Sequence, residues 1–388
     1  MRIGIFTQCY WPTQNGVVVS IETFRKELER RGHEFFIFAP GYRNFRDQNP
    51  AHVFRFPSMP STQKEYPLAL PFLAPLQTAH IRDLRLDIIH TQHPFSMGKL
   101  GLKVGRRLDI PVVYTYHTLI TEYAHYIPLF SGLAQKVAID LSRSYCNATD
   151  QVVTPSSSMK ELLRRYGVAV PIEVIPTGVT LADFGNPFHP ERLRIKWQLP
   201  EDKKLLLYVS RIAKEKNLDF LFQAISRLSQ RRQDFHLLMV GGGPELEHYR
   251  GFVRNSDLSC LVTFTGQQEK TETNRFFGAA DIFVFPSITE TQGIVITEAM
   301  AAGVPAVAIN KMGPSDIIQD GVDGYLTPLK VEEFCERIEK LLDDEGLRKK
   351  MGTKAKQNAE RFSTENMASA MEKLYERTIS NYSQSQAI

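Results

Sequence analysis

The 388 residues contain only four cysteines, Cys9, Cys146, Cys260 and Cys335, with no C-x-x-C pair among them. Such scattering fits neither a disulfide framework nor a zinc site, so the thiols are expected to be reduced, in an intracellular protein. Long apolar runs are also missing, and nothing approaches the roughly 18 residues that a membrane span needs. The opening MRIGIFTQCYW turns polar at Thr7 and Gln8. That is short of the about 7–15 apolar residues of a leader core, so the segment is expected to be a first buried strand. Net charge is only +4, too little to imply nucleic acid. There is no Asp-x-Asp triplet, which removes one common way of holding a divalent ion on a diphosphate. No G-x-x-x-x-G-K-[ST] loop occurs, so ATPase chemistry is not expected. Val240-Gly241-Gly242-Gly243-Pro244 is glycine-rich but lacks the spacing of a dinucleotide fingerprint.

What is present suits a soluble globular chain, 43% hydrophobic and 23% charged, long enough for two domains. The positive surplus sits in residues 1–180, with 20 basic and 14 acidic residues against 27 and 29 in the rest. Short apolar runs alternate with amphipathic stretches, the pattern of βαβ units and parallel sheets. Strands are expected at 3–6, 35–39, 53–56, 88–91, 112–115, 152–154 and 173–175, with helices at 18–31, 96–108, 133–147 and 157–166. Residues 57–75 are proline-rich, without a clear period, and are expected to be loop. Ile175-Pro176-Thr177-Gly178 suits a hinge. A second series follows, with strands at 205–210, 236–240, 262–264, 282–285 and 306–309 and helices starting near Leu218, Pro244, Glu269, Ile294 and Pro314. Residues 345–378 are charged and expected to be helical, and 380–388 to fray. The expectation is an α/β chain of two Rossmann-like doubly wound domains facing across a cleft, with ligand at the carboxyl ends of the strands. The domains are residues 1–180 and 190–362, with 363–388 packing back toward the first.

The most informative stretch is Ser287-Ile-Thr-Glu290-Thr-Gln-Gly293-Ile-Val-Ile-Thr-Glu298-Ala-Met-Ala-Ala-Gly303-Val-Pro305. A strand ends before it and a helix starts near Gly293, whose free amides suit a phosphate. Glu290 precedes that helix, placed to reach a sugar hydroxyl on one side of a diphosphate. Glu298 lies about one turn inside, where its carboxylate can accept from both hydroxyls of a ribose.

Two glutamates eight residues apart, followed by Ala-Met-Ala-Ala-Gly-Val-Pro, resemble the retaining glycosyltransferases of family 4, which have the GT-B fold. The resemblance implies that the pair brackets a nucleotide-sugar donor with Gly293, Ile294 and Val295. It also implies that Arg211 and Lys216, in Val209-Ser-Arg211-Ile-Ala-Lys-Glu-Lys216-Asn217, neutralise the donor phosphates. A positive pair there can also hold the charge that builds as the glycosidic bond breaks. In Tyr10-Trp-Pro-Thr-Gln-Asn15-Gly16, the second glycine of the family's usual pair is kept as Gly16, and Asn15 replaces the first. His117, after the strand Tyr114-Thr-Tyr116, is implied to lie beside the transferred sugar, positioning it or stabilising charge.

A narrower resemblance rests on Thr289-Glu-Thr-Gln-Gly293 and on Tyr114-Thr-Tyr-His-Thr118 with Glu122-Tyr123-Ala-His125-Tyr126. It is to bacterial enzymes that glucosylate diacylglycerol from UDP-glucose. It implies a lipid acceptor, no metal and no cofactor beyond the sugar nucleotide, and a cytoplasmic, peripheral place on an anionic membrane face. Lys99, Lys103, Arg106 and Arg107 share most of one helix face, and a basic face near apolar residues 71–76 and 120–130 suits that role. Tyr10, Tyr123 and Tyr126 are expected on the acceptor side. Alternatives left open are a polysaccharide, inositol-lipid or small-molecule acceptor, a sugar-nucleotide epimerase, and a non-catalytic sugar-nucleotide binding protein.

Overall fold

The computed structural model describes residues 1–47, 51–61, 66–117, 119, 131–184 and 190–386, the side chains of 76–78 and 131–134 excepted. The chain divides into two compact units, Met1–Gly178 with Thr364–Ile388, and Val179–Ser363.

In the first unit the strands are β1 (Arg2–Phe6), β2 (Glu34–Pro40), β3 (Val53–Phe56), β4 (Ser58–Met59), β5 (Leu68–Ala69), β6 (Ile88–Thr91), β7 (Val112–Thr115), β8 (Gln151–Thr154) and β9 (Ile172–Val174). The helices are α1 (Gly16–Arg30), α2 (Pro75–His80), α3 (Ser96–Leu108), α4 (Ser131–Cys146) and α5 (Ser157–Arg165). All the large-sheet pairings are parallel, in the order β3-β2-β1-β6-β7-β8-β9. From β1 the chain builds outward to one side and then restarts at β6 on the other. The carboxyl ends of β1 and β6 therefore flank a switch point, where such sheets bind ligands. Residues 57–75, expected as loop, hold the antiparallel β4–β5 pair and a 3-10 turn at Pro71–Leu73. Pieces of two or three residues are too short to carry a period.

Helix α3 shows how sequence sets distance to this sheet. Gly98, Gly101 and Gly105 each cost a helix roughly 1 kcal/mol relative to alanine. A Cβ on Gly98 would stand 1.8 Å from the His93 carbonyl oxygen, and one on Gly101 2.7 Å from Thr91 Cγ2. At Gly105 it would lie 2.5 Å from Val112 Cγ2. The bare stripe seats the helix directly on the sheet, while Lys99, Lys103, Arg106 and Arg107 are exposed.

In the second unit the strands are β10 (Lys204–Val209), β11 (Phe235–Val240), β12 (Val262–Gly266), β13 (Ile282–Phe285), β14 (Ala306–Ile309) and β15 (Gly324–Thr327). Its helices are α6 (Pro190–Lys196), α7 (Leu218–Ser229), α8 (Leu246–Arg254), α9 (Lys270–Ala279), α10 (Ile294–Ala301), α11 (Pro314–Ile317), α12 (Val331–Asp343) and α13 (Glu345–Ala359). The parallel sheet runs β12-β11-β10-β13-β14-β15, with its switch point between β10 and β13. Leu205, Leu206, Leu207 and Tyr208 are fully buried, as a strand covered by helices on both faces requires. The strand β15 and the helices α6 and α12 escape the sequence pattern.

The charged stretch expected as one helix breaks at Glu360–Phe362, after which α14 (Thr364–Gln386) begins. It belongs to the first unit, burying Ala368, Met371, Leu374 and Tyr375 in a cluster with Ile3, Ile5 and Phe35. Glu372 pairs there with Arg31 at 2.9 Å and with His33 at 2.6 Å. Residues 380–386, expected to fray, continue the helix.

Candidate active site

In the second unit, the sequence-predicted donor residues meet at the carboxyl ends of β10 and β13. Arg211 lies two residues past β10 and forms an ion pair with Glu215. A 3-10 turn at Lys214–Lys216 then leads to Asn217, which takes the left-handed conformation at φ 57°. The Asn217 side chain donates to the Pro286 carbonyl at 3.0 Å, and Thr289 Oγ1 donates to the Glu215 carbonyl at 3.1 Å. These two bonds bind the loop after β13 to the loop after β10, and the Lys216 ammonium pairs with the Glu290 carboxylate. Gly313 N donates to the Glu290 carbonyl at 2.9 Å, fixing that residue's backbone from a third side.

The glycine-rich loop after β11 proves to be the support of this arrangement. Ser210 N bonds Val240 O, Ile212 N bonds Gly242 O at 2.8 Å and Glu245 N bonds Ile212 O. A Cβ on Gly241 would lie 1.9 Å from Ser210 O, and one on Gly243 2.3 Å from Ile212 O. The glycines let this backbone lie flat against the segment that carries Arg211. Sequence spacing excludes a dinucleotide fingerprint here but does not reveal this scaffold.

Gly293 is the N-cap of α10 at φ 90°, ψ 52°, a conformation that favours glycine. The Ile294 and Val295 amides follow in the first turn, where no preceding helical carbonyl can accept from them. Glu298 lies on the next turn with a buried carboxylate, and Lys270, the first residue of α9, pairs with it. Lys270 and Glu215 are the charged partners that the sequence reading missed. The i,i+4 spacing of Arg211 and Glu215 was a visible signal, whereas nothing linear connects Lys270 to Glu298.

In the first unit, Gly16 opens α1 and is exposed. Asn15 is its N-cap, the side-chain oxygen accepting from Val18 N at 2.9 Å, which settles what stands at that position. A Cβ on Gly16 would meet nothing within 4 Å, and the residue has no positive φ. Neither folding nor packing therefore demands glycine there. His117 lies two residues past β7, and its Nε2–H donates to Gln92 Oε1 at 2.6 Å. Gln92 is itself held at the end of β6 by its amide bond to Phe6 O at 2.9 Å. Burial, with His93 and His90 nearby, holds the His117 imidazole well below the usual histidine range. Burial likewise lowers His93 to about 4 and His90 to about 3. At neutral pH His117 is therefore a neutral hydrogen-bonding group.

Tyr10 requires a correction. It is 4% exposed and its hydroxyl donates to Glu22 at 2.5 Å, so it packs inside the unit and offers no ring to an acceptor. Tyr123 and Tyr126, with residues 120–130, fall outside the described residues. Among the described residues no helix is long and apolar enough to cross a membrane, and no group of three His, Cys, Asp or Glu could hold a metal ion.

Residues 14–183 match the family Glycosyltransferase Family 4, and residues 190–358 match Glycosyl transferases group 1. An alpha-monoglucosyldiacylglycerol synthase of Streptococcus pneumoniae is 36% identical over 332 residues, 84% of this chain and 75% of that protein. The chain belongs to glycosyltransferase family 4. A synthase of the same name from Acholeplasma laidlawii is 27% identical and covers 97% of the chain. The GT-B fold is that of sucrose-phosphate synthase from Thermosynechococcus elongatus, at TM-score 0.81 over 98% of this chain and 99% of that one, with 22% identity. Anabaena HepE in complex with UDP-glucose superposes at TM-score 0.77 with 19% identity, over 97% of this chain and all of that one. As a family 4 glycosyltransferase the protein is an enzyme. It is related to diacylglycerol glucosyltransferases and also to GDP-mannose-dependent alpha-mannosyltransferases, among them one of Corynebacterium glutamicum at 30% identity.

Proposed function

We propose that this glycosyltransferase moves glucose from UDP-glucose to diacylglycerol with retention of the anomeric configuration. The observation that carries the reading is the Lys216–Glu290 pair beside Arg211, at the sheet's switch point and next to the start of α10. Cations and free amides of this kind would suit a departing diphosphate, and the carboxylate a hexose hydroxyl.

In this reading the bond between the sugar C1 and the β-phosphate oxygen breaks, and a bond from C1 to the acceptor oxygen forms on the same face. The acceptor hydroxyl passes its proton to the departing phosphate oxygen, so no protein base is needed. Arg211, Lys216 and the Ile294 and Val295 amides hold the growing negative charge in place of a metal. Gly16 permits close approach of backbone to the donor, Glu298 receives the ribose, and Glu290 and His117 orient the sugar.

Two observations support an anionic membrane as the place of work. Lys99, Lys103, Arg106 and Arg107 are exposed on α3, and among the described residues none of them has an acidic partner. The Pro71–Leu73 turn packs against the same helix and leaves Phe72 75% and Leu73 57% exposed. Exposed cations on a helix that packs against a turn with exposed apolar side chains suit the interface of anionic lipid.

The test is incubation with labelled UDP-glucose, diacylglycerol vesicles with and without phosphatidylglycerol, and EDTA throughout. Label should enter the lipid as an α-linked glucoside, faster on the anionic vesicles. UDP release without labelled lipid would remove the acceptor, a β-linkage would remove retention, and silence in EDTA reversed by Mg²⁺ would remove metal independence.

A further inference from the structure

The side chain of Glu298 has an unusual setting. It is only 7% exposed, and among the described residues Lys270 is the one donor that reaches its carboxylate, on Oε1. Oε2 accepts from no described residue. A carboxylate has room for about four donors, and a buried one is costly unless they are supplied. Lys270 differs in kind, being 53% exposed at the first position of α9. A deep acceptor is thus steered by a cation whose own stem remains in water.

Backbone geometry fixes where the Glu298 side chain starts. The residue lies in α10, whose start is fixed by Gly293, and its carbonyl accepts from Ala302 N at 3.1 Å. Oε2 keeps room for further donors, and a vicinal diol supplies two O–H groups on adjacent carbons. Resting on the nucleotide-sugar reading above, we infer that Lys270 is a positioning residue for recognition of the donor's ribose. It aims the Glu298 carboxylate so that Oε2 is left for the 2′- and 3′-hydroxyls. The pair thereby makes the enzyme select ribonucleotide over 2′-deoxyribonucleotide donors. Lys270 does not touch the reacting atoms, so its effect belongs in donor affinity far more than in turnover.

Titration calorimetry of the full chain with UDP and with 2′-deoxy-UDP tests this. The wild-type protein should prefer UDP by about tenfold or more, the effect of one hydrogen bond to a charged group. Lys270→Met should shrink that preference below about threefold, with the loss seen in donor KM and kcat falling far less. Lys270→Arg should restore most of it. Since Lys270→Met leaves a buried carboxylate without its cation, the neutral pair Lys270→Met with Glu298→Gln is the second variant, and it should also have lost the preference. Full discrimination retained by Lys270→Met would overturn the inference. Wild-type protein that binds UDP and 2′-deoxy-UDP equally would overturn it while leaving the donor reading standing. Failure to bind UDP at all would overturn both.

Discussion

The coupling of Lys216 to Glu290 can be measured without knowing the acceptor. Their side chains are 17% and 18% exposed, between the surface pairs that contribute up to about 1 kcal/mol and the buried pairs whose breakage costs about 3–5 kcal/mol. Lys216→Met should therefore destabilise by about 1–3 kcal/mol, because it leaves the Glu290 carboxylate half-buried and alone. Glu290→Gln should cost less, since an amide still fits beside the ammonium. The double variant should recover part of the loss, giving a coupling of about 1–2 kcal/mol in a urea-unfolding cycle. Activity should respond more strongly, kcat falling about 10²–10³-fold in each single variant, the usual effect of removing a group aimed at developing charge. The two losses should not multiply, because both residues serve the same step. A coupling under about 0.3 kcal/mol, or a Lys216→Met enzyme within tenfold of wild type, would show that the pair is ornamental.

Four further expectations follow from the geometry. Gly243→Ala should weaken UDP binding and lower the melting temperature, since its Cβ would sit 2.3 Å from Ile212 O. Gly251→Ala, in α8 with nothing within 4 Å, should instead stabilise by up to about 1 kcal/mol. Changing Lys99, Lys103, Arg106 and Arg107 together to Gln should cut sedimentation with anionic vesicles by about 10²-fold or more, at about 1 kcal/mol per cation, and equal binding would remove the proposed surface. Stability should also decline in acid. His90, His93 and His117 have folded pKa values below the unfolded value of about 6.5, so the unfolded chain binds more protons and stability, complete above that pH, is lost as pH falls toward 4. Each group contributes up to about 1.4 kcal/mol per pH unit in that window, and denaturant titrations from pH 7 to 4.5 that show no decline would refute the burial argument.

The central strands of the two sheets were legible because they are apolar runs covered on both faces, so composition alone marks them. Ala306–Ile309, Val112–Thr115 and Ile282–Phe285 lie where the runs predict. The strand Gly324–Thr327 was not legible, having four residues that begin with glycine and lie at a sheet edge. The break before Thr364 carries neither proline nor glycine, and only the return of the chain to the first unit explains it. At the site, the chemistry-bearing residues follow strands in sequence, so Arg211, Lys216 and Glu290 could be located by position. Their restraints could not. Gly241 and Gly243 act on a segment thirty residues earlier, and Lys270 reaches Glu298 only through the approach of two helices. Tyr10 misled because an aromatic residue in a loop motif looks the same whether its ring faces solvent or, as here, a buried glutamate.

The placement of α14 sets an order of assembly. Residues 179–363 are contiguous, so on the ribosome this sheet can close while its neighbour is still incomplete. The N-terminal half, though made first, must wait for Met371, Leu374 and Tyr375 to emerge before its apolar face is sealed. Until then Ile3, Ile5 and Phe35 lack their last cover, and nascent chains halted before residue 364 would be the ones to expose it to chaperones.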